Sequence, residues 1–82
     1  MNNNEKIITE KLFKIGEKVS KKTIQSEEEF MNVKKSMDSL QALELLVLCE
    51  NKFNITIPDD EIQKFTVANF KEMVNKINDL KS

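Results

Sequence analysis

Met37-Asp38-Ser39-Leu40-Gln41-Ala42-Leu43-Glu44-Leu45-Leu46-Val47-Leu48-Cys49-Glu50-Asn51-Lys52-Phe53 is an apolar-rich run that opens on a helix-start signal. Asp38 is a good N-cap, and Gln41, three residues on, stands in a capping-box relation to it, so a helix is predicted over residues 39–53. At about 100° per residue, Ala42, Leu45, Leu46, Cys49 and Phe53 fall on one side, an ordinary core face. Leu40, Leu43 and Val47 form a second apolar arc beside the first. Leu48 sits almost opposite Leu43, Glu50 lies close to the direction of Ser39, and Gln41, Glu44 and Asn51 edge the second arc. This is more apolar surface than one face of a small bundle needs. Either the helix is buried on nearly all sides, or the second arc is left partly open as a docking surface with a polar rim.

Outward from this helix the pattern stays helical. Downstream, Asn54-Ile55-Thr56-Ile57 reads as a short extended exit. Pro58 pre-sets a short third helix over residues 59–64, whose positive end is matched by Asp59, Asp60 and Glu61. A cation site at these three acids is the weaker reading, because no ordered loop of oxygen ligands follows. Thr66 is expected to cap a last helix from Val67 to Leu80, with Phe70, Val74 and Ile77 as its stripe and Val67 and Met73 flanking. Upstream, Ile8, Leu12, Ile15 and Val19 recur at spacings of four, three and four, which predicts a helix from Glu5 to Val19. Gly16 either permits close packing there or marks a less regular turn. Residues 1–4 are expected to be disordered. Residues 20–37 read as a long, mostly irregular connection with a helical turn near Glu27-Glu28-Glu29, pinned by Phe30, Met31 and Val33. The predicted fold is all-α, a small four-helix bundle with a long loop between helices 1 and 2 and a short third helix, forming one domain over residues 1–82.

Composition narrows the function. The 82 residues carry a net charge of −1, contain no His and no Arg, and have one Cys. Without His there is no Ser-His-Asp or Cys-His arrangement. A single Cys allows no internal disulfide and no cysteine-based zinc site, so no metal is expected. Cys49 lies mid-helix on the core face and reads as an inert buried thiol rather than a nucleophile. The lack of Arg and of bulk positive charge argues against nucleic acid. No apolar run approaches the roughly 20 residues that span a bilayer. With a polar start, Met1-Asn2-Asn3-Asn4, these features give a cytoplasmic expectation. Charge is unevenly placed, with eight Lys and six Glu in residues 1–37 against five Lys and eight acids in residues 38–82. Lys18, Lys21 and Lys22 read as a solvated surface, with contact to an acidic partner or a membrane as the alternative.

Ser39 opens the central helix. A helix start presents free amides and a positive dipole end, both suited to a phosphate, and Lys34 and Lys35 just upstream are placed to add charge. Taken alone, a serine after an aspartate at this position reads as part of the cap.

The chain as a whole resembles the acyl carrier protein family. The resemblance rests on Asp38-Ser39-Leu40, Glu44-Leu45, Phe53, Ile57-Pro58-Asp59 and Phe65-Thr66-Val67, and it is close over residues 37–67. It implies a non-catalytic carrier with 4'-phosphopantetheine, taken from coenzyme A by a phosphopantetheinyl transferase, attached to Ser39. The thiol of that arm would hold acyl, polyketide or aminoacyl cargo as a thioester for loading, synthase and transferase enzymes of fatty-acid, polyketide or nonribosomal biosynthesis. It implies partner contacts at Asp38, Leu40, Gln41, Leu43, Glu44, Val47, Leu48 and Glu50, which agrees with the second apolar arc. It implies an acyl-chain lining that includes Leu45, Cys49 and Phe53, and a monomer that does not insert in membranes. Lys35-Ser36 stand where members usually have Leu-Gly, and Gln41, Leu48, Asn51 and Lys52 dilute the usual acidity, so the pathway stays open. An unmodified helical interaction module is the alternative function.

Overall fold

The computed structural model describes residues 3–81. Five helices follow one another: α1 (Asn3–Ser20), α2 (Glu27–Lys35), α3 (Ser39–Phe53), α4 (Asp59–Val67) and α5 (Phe70–Lys81), with no strand among the described residues. The all-α bundle expected from the sequence is thus present, with an additional helix inside the first connection.

α1 is the central support and packs against α3, α5 and α2. Its stripe of Ile8, Leu12, Ile15 and Val19 is buried as the spacing requires. Across from it lie Leu45, Leu46, Cys49 and Phe53 of α3 and Phe70, Met73, Val74 and Ile77 of α5. Each large side chain buried this way contributes about 1.5–3 kcal/mol before the entropy of ordering is counted. Phe13, Phe30 and Phe70 form a triangle of rings in this core: Phe30 lies 5.1 Å from Phe70 in an edge-on arrangement and 6.5 Å from Phe13, and Phe13 lies 5.3 Å from Phe70. Gly16 faces this cluster. A Cβ there would meet Ile24 Cδ1 at 2.8 Å and two Phe30 ring carbons at 3.0 Å, so its role is close packing and α1 runs regularly through it.

Four boundaries differ from the sequence reading. α1 begins at Asn3, so only residues 1 and 2 of the segment expected to be disordered lie outside the described residues. The connection over residues 20–37 is irregular only as far as Gln25 and then forms α2, nine residues long. Ser26 Oγ accepts from the Glu29 amide while the Glu29 carboxylate accepts from the Gln25 amide, and this tethers both sides of the helix start. Glu27–Glu29 in the first turn and Lys34 and Lys35 in the last suit the helix dipole. Phe30 is buried and Met31 and Val33 pack against the core, as expected of anchors. The short helix also runs on to Val67, and Thr66 does not cap the last helix: its hydroxyl donates to the Ile62 carbonyl inside α4. Asn69 is the cap instead. Its side-chain oxygen accepts from the Glu72 amide, and the Glu72 carboxylate accepts from the Asn69 amide, a reciprocal box that starts α5 at Phe70. Val67 therefore belongs to the end of α4 and lies in solvent.

Candidate functional site

The start of α3 is organised as its sequence requires. The Asp38 carboxylate accepts from the Gln41 amide at 2.8 Å, and the Gln41 side-chain oxygen accepts from the Asp38 amide at 3.3 Å, a complete capping box. Ser39 is the first residue of the helix and is exposed. The amides of Ser39 and Leu40 lie in the first turn, where an α-helix offers no internal acceptor. A phosphodiester on the Ser39 hydroxyl would therefore meet open donors and a favourable dipole end, so the residues present fit such a group. Of the two lysines expected to add charge here, Lys34 is engaged elsewhere: its ammonium donates to the Ala68 carbonyl at 2.7 Å and the Phe65 carbonyl at 3.4 Å, closing the end of α4. Burial lowers its pKa below the ordinary lysine value. Lys35 remains exposed.

Beside Ser39 runs an uncovered apolar strip. Leu40 is 76% exposed, Leu43 56% and Val47 44%, so this arc is left open and the helix is not buried on nearly all sides. The strip forms one wall of a groove of about 560 Å³, which Gln41, Glu44 and Leu48 of α3 share with Val19 and Lys21. Six of the eight expected contact residues come together there. Asp38 stands at the helix cap outside the groove. The Glu50 carboxylate accepts from the Ile57 amide at 2.8 Å and so holds the segment that follows α3 against the helix. A second shallow groove lies on the other side of the helix, where Ser39, Ala42, Leu43 and Leu46 face Ile62 and Thr66 of α4.

A smaller cavity of about 110 Å³ sits behind it, between α3 and α4, lined by Lys34, Met37, Ala42, Leu45, Leu46, Phe65 and Thr66. Of the three residues expected to line an acyl chain, Leu45 borders this cavity. Cys49 and Phe53 are buried deeper on the same face. Desolvation pushes the Cys49 thiol up to about 12, which makes it a poor nucleophile at neutral pH. No group of three metal-ligating side chains occurs among the described residues, and Asp59, Asp60 and Glu61 simply occupy the first turn of α4.

Sequence reasoning missed the contribution of α4, namely Ile62 and Thr66. It also missed Val19 and Lys21 on the groove wall. For α4 the available signal was Phe65: once that residue is buried, helical spacing sends Ile62 and Thr66 to the side next to α3. Neither curated proteins nor solved structures returned a match to this chain. A protein-family model described as the phosphopantetheine attachment site matches residues 18–77, which include all of α2, α3 and α4 and the whole neighbourhood of Ser39. No helix of the described residues is long and apolar enough to cross a membrane. The exposed helix-start serine, its flanking grooves and this match over most of the chain agree, and the chain belongs to the phosphopantetheine-attachment family, as a carrier protein that bears 4'-phosphopantetheine covalently.

Proposed function

We propose that this protein is an acyl carrier protein whose attachment residue is Ser39, and that it presents acyl, polyketide or aminoacyl intermediates to successive partner enzymes without catalysing a reaction itself. The observation that carries this is the exposed Ser39 hydroxyl at the first position of a capped helix, beside an exposed apolar strip. The attached group supplies a thiol at the end of a flexible tether, on which cargo is held as a thioester. The chain supplies the rest. The capping box fixes the direction of α3, so Ser39 projects outward. The first-turn amides and helix dipole favour the negative charge of the phosphodiester. Leu40, Leu43 and Val47 offer an apolar landing surface, and Gln41, Glu44 and Leu48 its rim. Leu45, with Cys49 and Phe53 behind it, forms the wall against which the apolar end of a cargo would rest.

Partners in this reading are a phosphopantetheinyl transferase and the enzymes that load, extend and unload the arm, met one at a time by a monomer. Contacts of this kind are small and short-lived, as a shuttle requires. The lone Cys49, unpaired, supports a reducing compartment such as the cytoplasm.

Intact mass tests the proposal directly. Incubation with coenzyme A and a broad-specificity phosphopantetheinyl transferase is expected to add one phosphopantetheine to the wild-type chain and none to Ser39→Ala. Unchanged mass of a folded wild-type sample with several transferases, or continued modification of the alanine variant, overturns the assignment of Ser39.

A further inference from the structure

The groove along α3 has a second wall whose chemistry differs from the first. Lys11, Lys14, Lys18 and Lys21 follow one another at spacings of three, four and three, which places them on one side of α1 and its exit. That side borders α3 along its length. The Lys11 ammonium lies 5.8 Å from the Phe53 ring centre. Lys14 and Lys18 share a depression with Leu48, Asn51 and Lys52. Lys21 stands on the wall of the larger groove opposite Leu40, Leu43 and Val47. The two depressions meet at Leu48, so a row of lysines runs beside the apolar strip from the far end of α3 toward its Ser39 end. Lys14, Lys18, Lys21 and Lys52 enter no ion pair among the described residues.

Lys21 adds an independent observation. It holds φ 60°, the left-handed conformation that closes α1 through its amide to the Glu17 carbonyl at 2.7 Å. Glycine fills this position in helices without steric penalty, and a lysine there carries a cost in backbone strain. The chain bears that cost and gains a cation on the groove wall.

We infer that the docking face is basic on one side and apolar on the other, and that it accepts partner proteins which present acidic side chains flanking an apolar projection. This deepens the carrier reading and rests on its docking face. A protein is favoured over an anionic membrane for two reasons. The face is a groove, which receives a projecting helix or loop, whereas a bilayer is entered by a protruding apolar surface. Glu44 also stands within it and would be pressed against anionic headgroups, while a protein surface can meet it with a single cation.

The test uses the full apo chain, labelled with nitrogen-15, and two helical peptides of equal length. One carries Leu on one face and Glu on the other; the second replaces every Glu with Lys. The acidic peptide is expected to shift amides of residues 14–21 and 40–48 saturably, with an affinity that falls as salt is raised. Lys14→Glu with Lys18→Glu should weaken it roughly tenfold. Lys64→Glu with Lys71→Glu, on exposed positions outside the groove, should leave it unchanged. Lys21→Gly should weaken it while the melting temperature holds or rises, because the strain is relieved. The inference is overturned by equal or tighter binding of the basic peptide, by unchanged affinity in Lys14→Glu with Lys18→Glu, by co-sedimentation with phosphatidylcholine–phosphatidylserine vesicles in place of peptide binding, or by a concentration-dependent dimer producing the same shifts. None of these readouts depends on modification of Ser39, so failure here and failure of the attachment assignment are separate results.

Discussion

A single methyl group added at Gly16 has nowhere to go. Ile24 Cδ1 is the tip of a movable side chain and can yield, but the Phe30 ring is packed against the paired rings of Phe13 and Phe70. Alanine raises helix propensity by up to about 1 kcal/mol relative to glycine, whereas overpacking a filled core costs about 1–3 kcal/mol. Gly16→Ala is therefore expected to lower the melting temperature, and a denaturant titration showing equal or greater stability would refute the packing argument. Cys49 is a second residue with a measurable signature. Its folded pKa is raised from 9.0 to about 12, so the stability it contributes is complete below about pH 9 and is lost as pH rises through 12. Lys34 acts with the opposite sign: its lowered folded pKa means that its contribution is present above 10.5 and lost as pH falls through the depressed value. The two act in opposite directions in the alkaline range, so the thiol's part is read from the difference between wild type and a variant that lacks it. Cys49→Ala is expected to be less stable at neutral pH, and its deficit relative to wild type should shrink as pH rises from 9 toward 12. Parallel profiles would remove the thiol from this account.

At the scale of the element, α4 is the least anchored helix. Phe65 is its one buried residue, and the bonds from Lys34 to its final carbonyls and the Lys76–Glu61 ion pair hold its two ends. Helices with little buried area open at lower free energy than the global unfolding barrier requires. Amides of residues 59–67 should exchange with solvent well before those of α1, and equal protection in native-state hydrogen exchange would show α4 to be part of the cooperative core. The helices were legible in the sequence to the degree that burial is periodic. Ile8, Leu12, Ile15 and Val19 declare α1 unaided, and Asp38 with Gln41 declares the start of α3. α2 hid because only Phe30 of its nine residues is fully buried, which leaves too short a stripe to register a period. Its signal was local instead: Ser26 three residues before Glu29 is a cap signature that the three adjacent glutamates obscured. Asn69 was passed over for Thr66 because both are cap residues, and only the position of Phe70 against Phe13 and Phe30 decides between them. Among the candidate contact residues, the exposed arc of Leu40, Leu43 and Val47 was visible as surplus apolar surface. The fate of the Glu50 and Lys34 side chains was not, because each bonds to backbone brought near by the fold.

For the whole molecule, the carrier reading makes stability depend on cargo. A group that associates with the folded chain and not with the unfolded one raises the stability of the fold. A long acyl chain on Ser39 that shelters beside Leu45 is expected to raise the melting temperature above that of the short-chain form, and identical melting of the two would assign the carrier to short or polar cargo. The resting cavity there, about 110 Å³, is too small for such a chain. Room has to come from one side, and the bonds of Lys34 to Phe65 and Ala68 span that side. They are charge-assisted bonds from a half-buried ammonium, so opening that side costs the chain both of them. In the carrier reading Lys34 is the catch on this slot: a long acyl chain that enters from that side would make the ammonium give up both of its carbonyl acceptors.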